Sequence, residues 1–191
     1  IPDWFTYPEI GEELRNEYTS NNKKGFCIYL IGLSGSGKTT LLKQLNDKLM
    51  EVSNGRKISI LDGDVVRQEL SKGLGFSRDD RSLNVRRIGY VASEIVKHGG
   101  ICLCANIAPY NDDRKHNRSI IEAHGGYYET HIDTDILECE KRDCKGLYKL
   151  ARQGVIKEFT GISDPFEKPI NPEFEFSCNT VNDFDKNIKT I

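Results

Sequence analysis

Gly32-Leu33-Ser34-Gly35-Ser36-Gly37-Lys38-Thr39 decides how this chain is read. The octapeptide fits the phosphate-binding P-loop, G-x-x-x-x-G-K-[ST], at every position. Before it runs Gly25-Phe26-Cys27-Ile28-Tyr29-Leu30-Ile31, apolar and β-prone. After it, Thr40 to Leu49 sets Leu41, Leu42, Leu45 and Leu49 on one helical face. Strand, glycine-rich turn and helix in that order make a cradle for polyphosphate. Backbone N–H groups turn inward, and the helix start adds unpaired donors and the positive end of its dipole. Lys38 is then placed to reach β- and γ-phosphates, and the Thr39 hydroxyl to ligate Mg²⁺. The expected ligand is a nucleoside triphosphate.

At 191 residues the chain suits one α/β domain with a real core. Its net charge of −2 and pI near 6.1 give no basic surface for nucleic acid, and its apolar runs are strand-length, too short to span a membrane. Six cysteines (Cys27, Cys102, Cys104, Cys139, Cys144 and Cys178) are read as reduced, mostly buried thiols of a reducing, cytoplasmic compartment, with redox regulation as the alternative. Cys102-x-Cys104 is read as pointing to opposite faces of a strand, a poor zinc geometry. Because the chain opens on Ile1 rather than Met, it is read as a processed or excised segment, which leaves organellar targeting open.

Residues 1–24 read as an N-terminal extension. Ile1 to Pro8 is aromatic and proline-punctuated, with Trp4 and Phe5 expected to dock on something. Glu9 to Tyr18 suits a short helix, and Ser20 to Lys24 a polar linker. Residues 25–191 read as one P-loop domain. Further strands are expected at Lys57–Leu61, Gly100–Ala105, Tyr127–Ile132 and Phe174–Phe176. Helices are expected around Ile88, Val91, Ala92, Ile95 and Val96, from Asp135 to Arg142, and at the C-terminus. This alternation predicts a three-layer P-loop NTPase-type α/β fold, with a mainly parallel sheet covered on both faces. Ligands of such sheets sit beyond the carboxyl ends of the strands. The P-loop, Asp62-Gly63-Asp64 and Asn106-Ile107-Ala108-Pro109 should meet there.

Which phosphate chemistry is run depends on the remaining residues. No N-K-x-D occurs, which argues against a GTPase, and the strand ending at Asp62 only approximates that of an ATPase motor. Of Asp62 and Asp64, one can orient hydrated Mg²⁺ while the other accepts a proton from an attacking hydroxyl, the glycine between them permitting a sharp bend. A plain Asp-Gly turn is the alternative. Arg67, Arg78, Arg81, Arg86 and Arg87, with Asn84 among them, read mostly as a solvated helix face, yet a second anionic ligand needs guanidinium forks. Phe76 is a candidate for stacking on a base. The glycine-punctuated stretch 143–163, with Lys145, Lys149, Arg152 and Lys157, is read as a mobile lid.

D-G-D-x-x-R (Asp62 to Arg67), L-G-F-S (Leu74 to Ser77), D-R-x-x-N-x-R-R-I-G (Asp80 to Gly89), K-G-L-Y (Lys145 to Tyr148) and F-T-G-I (Phe159 to Ile162) follow the P-loop in order. Together, over roughly Gly25 to Phe184, they resemble adenylylsulfate kinase (APS kinase). The resemblance implies transfer of the γ-phosphoryl of MgATP to the ribose 3′-hydroxyl of adenosine 5′-phosphosulfate (APS), giving PAPS and ADP in sulfate assimilation. It implies catalytic roles for Asp64 and Lys38, with Thr39 and Asp64 at the metal. ATP would be held by Ser34, Gly35, Ser36, Gly37, Lys38, Thr39, Thr40 and Arg142, with a segment near 179–184 on the same side. APS would lie against Asp64, Arg67, Phe76, Arg81, Asn84, Ile107, Ala108, Lys145 and Phe159. The two phenylalanines would sandwich its adenine, and the arginines would face its phosphosulfate.

Many relatives carry I-S-P-Y, with a phosphorylatable serine, where this chain has Ile107-Ala108-Pro109-Tyr110. Ala108 has no hydroxyl, so direct in-line transfer is expected. The resemblance also implies a homodimer. Ile1 to Phe5 resembles the segment that precedes the kinase domain in proteins fusing ATP sulfurylase to APS kinase. Two other readings compete. A regulatory domain that only senses PAPS is opposed by the intact Gly37, Lys38 and Thr39. A kinase for another small hydroxylated substrate is opposed by Arg67, Phe76, Arg81 and Asn84, which suit an aromatic, anionic acceptor.

Overall fold

Five short segments carry enough apolar, β-prone residues to run as strands, and all five pair in parallel. In the computed structural model these are β1 (Phe26–Ile31), β2 (Ile58–Asp62), β3 (Ile101–Ala105), β4 (Gly126–Ile132) and β5 (Phe174–Phe176), in the spatial order β2-β3-β1-β4-β5. The structure describes residues 7–10, 24–53, 55–179 and the single positions 183, 187 and 190. Residues 8–10 are helical. The rest of the expected Glu9–Tyr18 helix, the docking of Trp4 and Phe5, and most of the linker and C-terminal helix lie outside the described residues.

The central strands are buried on both sides, which is why β1 and β3 read as unbroken apolar runs rather than as an alternation. On one face, Ile28, Leu30, Ile101 and Leu103 pack on Leu41, Leu42 and Leu45 of α1 (Lys38–Val52). On the other, Cys27, Tyr29, Cys102 and Cys104 meet Ile88, Ala92 and Val96 of α3 (Arg78–Lys97) and Ile121 of α4 (Asn111–Glu122). The remaining helices, α2 (Gly63–Glu69), α5 (Ile136–Arg142) and α6 (Leu147–Arg152), flank the carboxyl edge of the sheet. Among the described residues no helix is long and apolar enough to cross a membrane.

One expectation is corrected here. Cys102 and Cys104 share a face, with their sulfurs 3.6 Å apart and Cys27 Sγ 3.7 Å from that of Cys104. Side chains alternate along a strand with period two, so residues i and i+2 lie on the same side. The three thiols fill the core as small apolar groups, and burial pushes those of Cys27 and Cys104 well above the ordinary thiol range.

Helix α3 starts where Ser77 accepts from Asp80 N–H at 3.2 Å, a side-chain cap worth roughly 0.5–2 kcal/mol. It approaches α4 closely at Gly89. A Cβ there would lie 2.0 Å from Asn117 Oδ1, and Asn117 Nδ2 is pinned to Val85 O at 3.0 Å and to the Tyr29 hydroxyl at 3.1 Å. Gly89→Ala should therefore destabilise the fold by about 1–3 kcal/mol despite alanine's better helix propensity, because the amide cannot retreat without losing both bonds. Thermal denaturation would read this, and a rise in Tm would contradict it.

Candidate active site

The loop between β1 and α1 closes on itself without any side-chain cap. Gly37, at φ 104°, turns the backbone into α1, and among the described residues no side-chain cap closes the start of that 15-residue helix. A residue with a Cβ is strained at this φ, so glycine is required. The uncapped donors are available to an anion. Thr134 Oγ1 donates to Ser36 O at 2.8 Å, fixing the loop against the end of β4. The Tyr148 hydroxyl donates to Ser34 O at 2.9 Å. Arg142 joins Gly35 O at 3.2 Å to Cys178 O at 2.5 Å.

Lys38 folds back over the loop, donating to Leu33 O at 2.6 Å and Gly32 O at 3.0 Å. These carbonyls occupy the donors that a polyphosphate would take. Loss of water around the ammonium, reinforced by the neighbouring Lys145 charge, pushes Lys38 down to about 8.

Strand β2 delivers the two aspartates into different roles. The expected glycine-bent turn is instead a direct strand-to-helix junction. Asp62 caps α2, accepting from Asp64 N–H at 2.9 Å through one oxygen, and takes the Thr39 hydroxyl at 2.9 Å through the other. Asp64 sits exposed in the first turn of α2, paired with Lys145. Thr39 and Asp62 thus form the oxygen pair beside the P-loop. The residues alone had left the choice of metal carboxylate open between Asp62 and Asp64, and the family resemblance implied Thr39 and Asp64.

A cavity of about 760 Å³ is lined by the P-loop, Asp64 and the start of α3. Ser34, Gly35, Gly37, Lys38, Thr39, Thr40 and Arg142 form one set of its lining residues; Arg67, Phe76, Arg81, Asn84, Ile107, Ala108, Lys145 and Phe159 form the other. Ser36 is the exception among the expected residues: it is fully buried, and its hydroxyl faces Lys38 at 3.4 Å inside the loop. Asn84 is 6% exposed, and its Oδ1 has no partner among the described residues, so it presents a buried acceptor to whatever fills the cavity. Ala108 adopts φ 43°, its carbonyl held by Arg114 Nη1 at 2.5 Å.

The aromatic pair is arranged less symmetrically than a sandwich. Phe76 is exposed, with the Arg67 guanidinium 4.8 Å from its ring centre. Phe159 packs edge-on against Tyr148 at 5.0 Å, in a small core with Cys139, Ala151, Leu33 and Ile136. Segment 143–163, read as a lid, builds this core and lines the cavity with Cys144, Lys145, Leu147, Tyr148 and Ile156. Arg81 does not present an open fork. It is clasped by Phe76 O at 2.9 Å, Thr160 Oγ1 at 2.6 Å, Asp164 Oδ2 at 2.8 Å and Glu158 O. Tyr148, Thr160 and Asp164 were missed as site residues, whereas Asp62 had been weighed beside Asp64. K-G-L-Y and F-T-G-I already contained the first two.

A parallel sheet with an uncapped P-loop and an acidic strand end in one cavity is the arrangement of a P-loop nucleotide-binding protein. Residues 24–177 match the model of the adenylylsulphate kinase family, and the chain belongs to that family. An adenylyl-sulfate kinase of Rippkaea orientalis is 49% identical over 158 residues, covering 83% of each chain. The Mycobacterium tuberculosis APS kinase, solved in complex with AMPPNP and APS, superposes with a TM-score of 0.81 at 36% identity, over 88% of this chain and 95% of that one. A sulfate adenylyltransferase of Chaetomium globosum is 42% identical over 180 residues, 94% of this chain but 31% of its own length. The chain thus spans about a third of the length of such relatives.

The lowered Lys38 makes nucleotide binding pH-dependent. Phosphate charge restores the ammonium, so binding takes up a proton once the free site has lost it. ATP affinity should therefore fall as pH rises through about 8. Titration calorimetry at pH 8.5 in buffers of different ionisation heat should show uptake of roughly three-quarters of a proton. Lys38→Arg should flatten the profile; a wild-type profile flat from pH 7 to 9.5 would contradict the assignment.

Proposed function

We propose that this chain phosphorylates the ribose 3′-hydroxyl of APS with ATP, giving PAPS and ADP, by direct in-line transfer. The observation that carries the reading is one cavity lined both by the P-loop and by Arg67, Phe76, Asn84 and Phe159. A polyphosphate suits the first set and an aromatic, anionic acceptor the second, with Asp64 lining the same cavity.

In this mechanism the P-loop N–H groups and Lys38 fix the β- and γ-phosphates, Lys38 exchanging its carbonyl partners for phosphate oxygens. Arg142, tied to Gly35, steadies the same loop. Thr39 and Asp62 offer hard oxygen donors of the kind Mg²⁺ takes, and Asp64 is near enough in sequence and cavity to complete the set. When bound, Mg²⁺ would neutralise charge on the transferred phosphoryl group. Asp64 orients the 3′-hydroxyl and accepts its proton, which requires release from Lys145. Lys145 is then free for the anionic substrates. Ala108 carries no hydroxyl, so no phosphoenzyme forms there. The backbone of Ile107 and Ala108 serves as a contact surface.

The proposal extends to a homodimer working in the cytoplasm, in a polypeptide that also carries an ATP sulfurylase domain supplying APS. Support comes from six free thiols, suited to a reducing compartment, and from the sulfate adenylyltransferases that contain a matching segment.

The direct test is ADP release from MgATP with and without APS, with PAPS identified by mass. APS-dependent formation of both is expected. Tight PAPS binding without turnover would shift the reading to a sensor. Asp64→Asn should lower kcat by about 10²–10⁴-fold while ATP affinity stays within about twofold. An unchanged kcat would remove Asp64 from proton transfer.

A further inference from the structure

Arg81 is a cation taken almost out of water, its side chain 8% exposed, and a buried guanidinium needs a counter-charge. Among the described residues that charge is Asp164, 83 positions away, with Oδ2 at 2.8 Å. The same oxygen accepts the Tyr110 hydroxyl at 2.9 Å. Burial and the Asp164 carboxylate push Tyr110 up to about 12, so this donor keeps its proton throughout the working range.

Asp164 also organises its own segment. Its N–H donates to Phe159 O at 3.1 Å, its carbonyl accepts Gly161 N–H at 2.8 Å, and the Ser163 hydroxyl accepts Phe159 N–H at 2.9 Å. One residue therefore joins the turn presenting Phe159, the helix bearing Arg81, and Tyr110 just beyond Ala108 and Pro109. Asp164 is not among the residues that line the main cavity. It lines a separate cavity of about 620 Å³, with His131, Thr134 and Lys168, on the far side of the turn.

A guanidinium has five N–H donors in a fixed fork. Phe76, Thr160, Asp164 and Glu158 account for all but one, on Nη2. We propose that Asp164 is a positioning residue for the acceptor nucleotide: it locks Arg81 so that its remaining donor, and the ring of Phe159, are set before the acceptor arrives. This rests on the APS reading above. Without the Asp164 carboxylate, Arg81 has the main cavity that it lines to turn into, and its fork is no longer preorganised. The affinity lost is that of the acceptor and not of ATP, whose P-loop shares no hydrogen bond with this clasp among the described residues.

The experiment compares wild-type chain, Asp164→Ala and Asp164→Asn in steady-state kinetics with MgATP and APS, alongside limited trypsin digestion. Asp164→Ala should raise KM for APS at least about tenfold with KM for ATP unchanged. Asp164→Asn keeps an acceptor oxygen for Tyr110 and Arg81 and should fall between, so it serves if the alanine variant folds poorly. Trypsin should cut after the exposed Lys157 faster in Asp164→Ala, while cleavage after Lys48 in α1 keeps its wild-type rate. A normal or lowered KM for APS in active variants overturns the inference and leaves the kinase reading intact. Equal rises for APS and ATP also overturn it, as a general loss of structure. Wild-type chain without APS-dependent ADP release would overturn the kinase reading itself, and the acceptor role with it.

Discussion

Strand direction is the constraint on which this site depends. All five strands run the same way, so every carboxyl end emerges at one edge of the sheet. Ala105 of β3 stands level with Leu30 of β1 on one side and Asp62 of β2 on the other. Neighbouring strands lie about 4.8 Å apart. The backbone that follows those three residues therefore leaves the sheet as three adjacent loops: the P-loop, the Asp62–Asp64 junction and Asn106–Pro109. Reversing any one strand would carry its loop to the opposite edge. The apolar cores on the two faces hold this register, and the chemistry inherits it.

Features that rest on neighbouring residues were legible in the sequence. The P-loop is eight contiguous residues whose conformation is set by their own glycines, and β1, α1 and α3 showed their periods plainly. The parallel arrangement followed from strand–helix alternation. Most cavity-lining residues came from the family resemblance, which encodes tertiary proximity that no local pattern contains. What the sequence did not show was long-range or depended on local geometry. Arg81 reads as an open fork until Glu158, Thr160 and Asp164 are brought back to it across 77 to 83 residues. Ser36 sits inside an obvious motif yet turns inward. The facing of Cys102 and Cys104 was available from period two alone.

Two cations of the cavity lean in part on weak substitutes. Lys38 is satisfied by backbone carbonyls of its own loop, and Arg142, beyond its pair with Glu138, by carbonyls of Gly35, Cys178 and Asn179. A carbonyl carries only a partial charge, so replacing it with a phosphate oxygen converts a neutral acceptor into a charge-assisted bond about twice as strong. The burial that lowers Lys38 is thus reversed by the ligand it serves.

The two aspartates show how one strand end can supply both a fixed and a movable carboxylate. Asp62 is held at both oxygens, one by the backbone of α2 and one by Thr39, and cannot turn without uncapping a helix. A metal ligand benefits from that rigidity, because misplacement costs coordination geometry. Asp64 is solvent-exposed, and among the described residues a single flexible partner, Lys145, holds its carboxylate. A group that must meet a hydroxyl and then receive its proton has to change partners during the reaction. A surface ion pair of this kind costs about a kilocalorie per mole or less to break. The glycine between them matters less as a hinge than as the residue that starts α2, with the rigid carboxylate just before it and the mobile one just after.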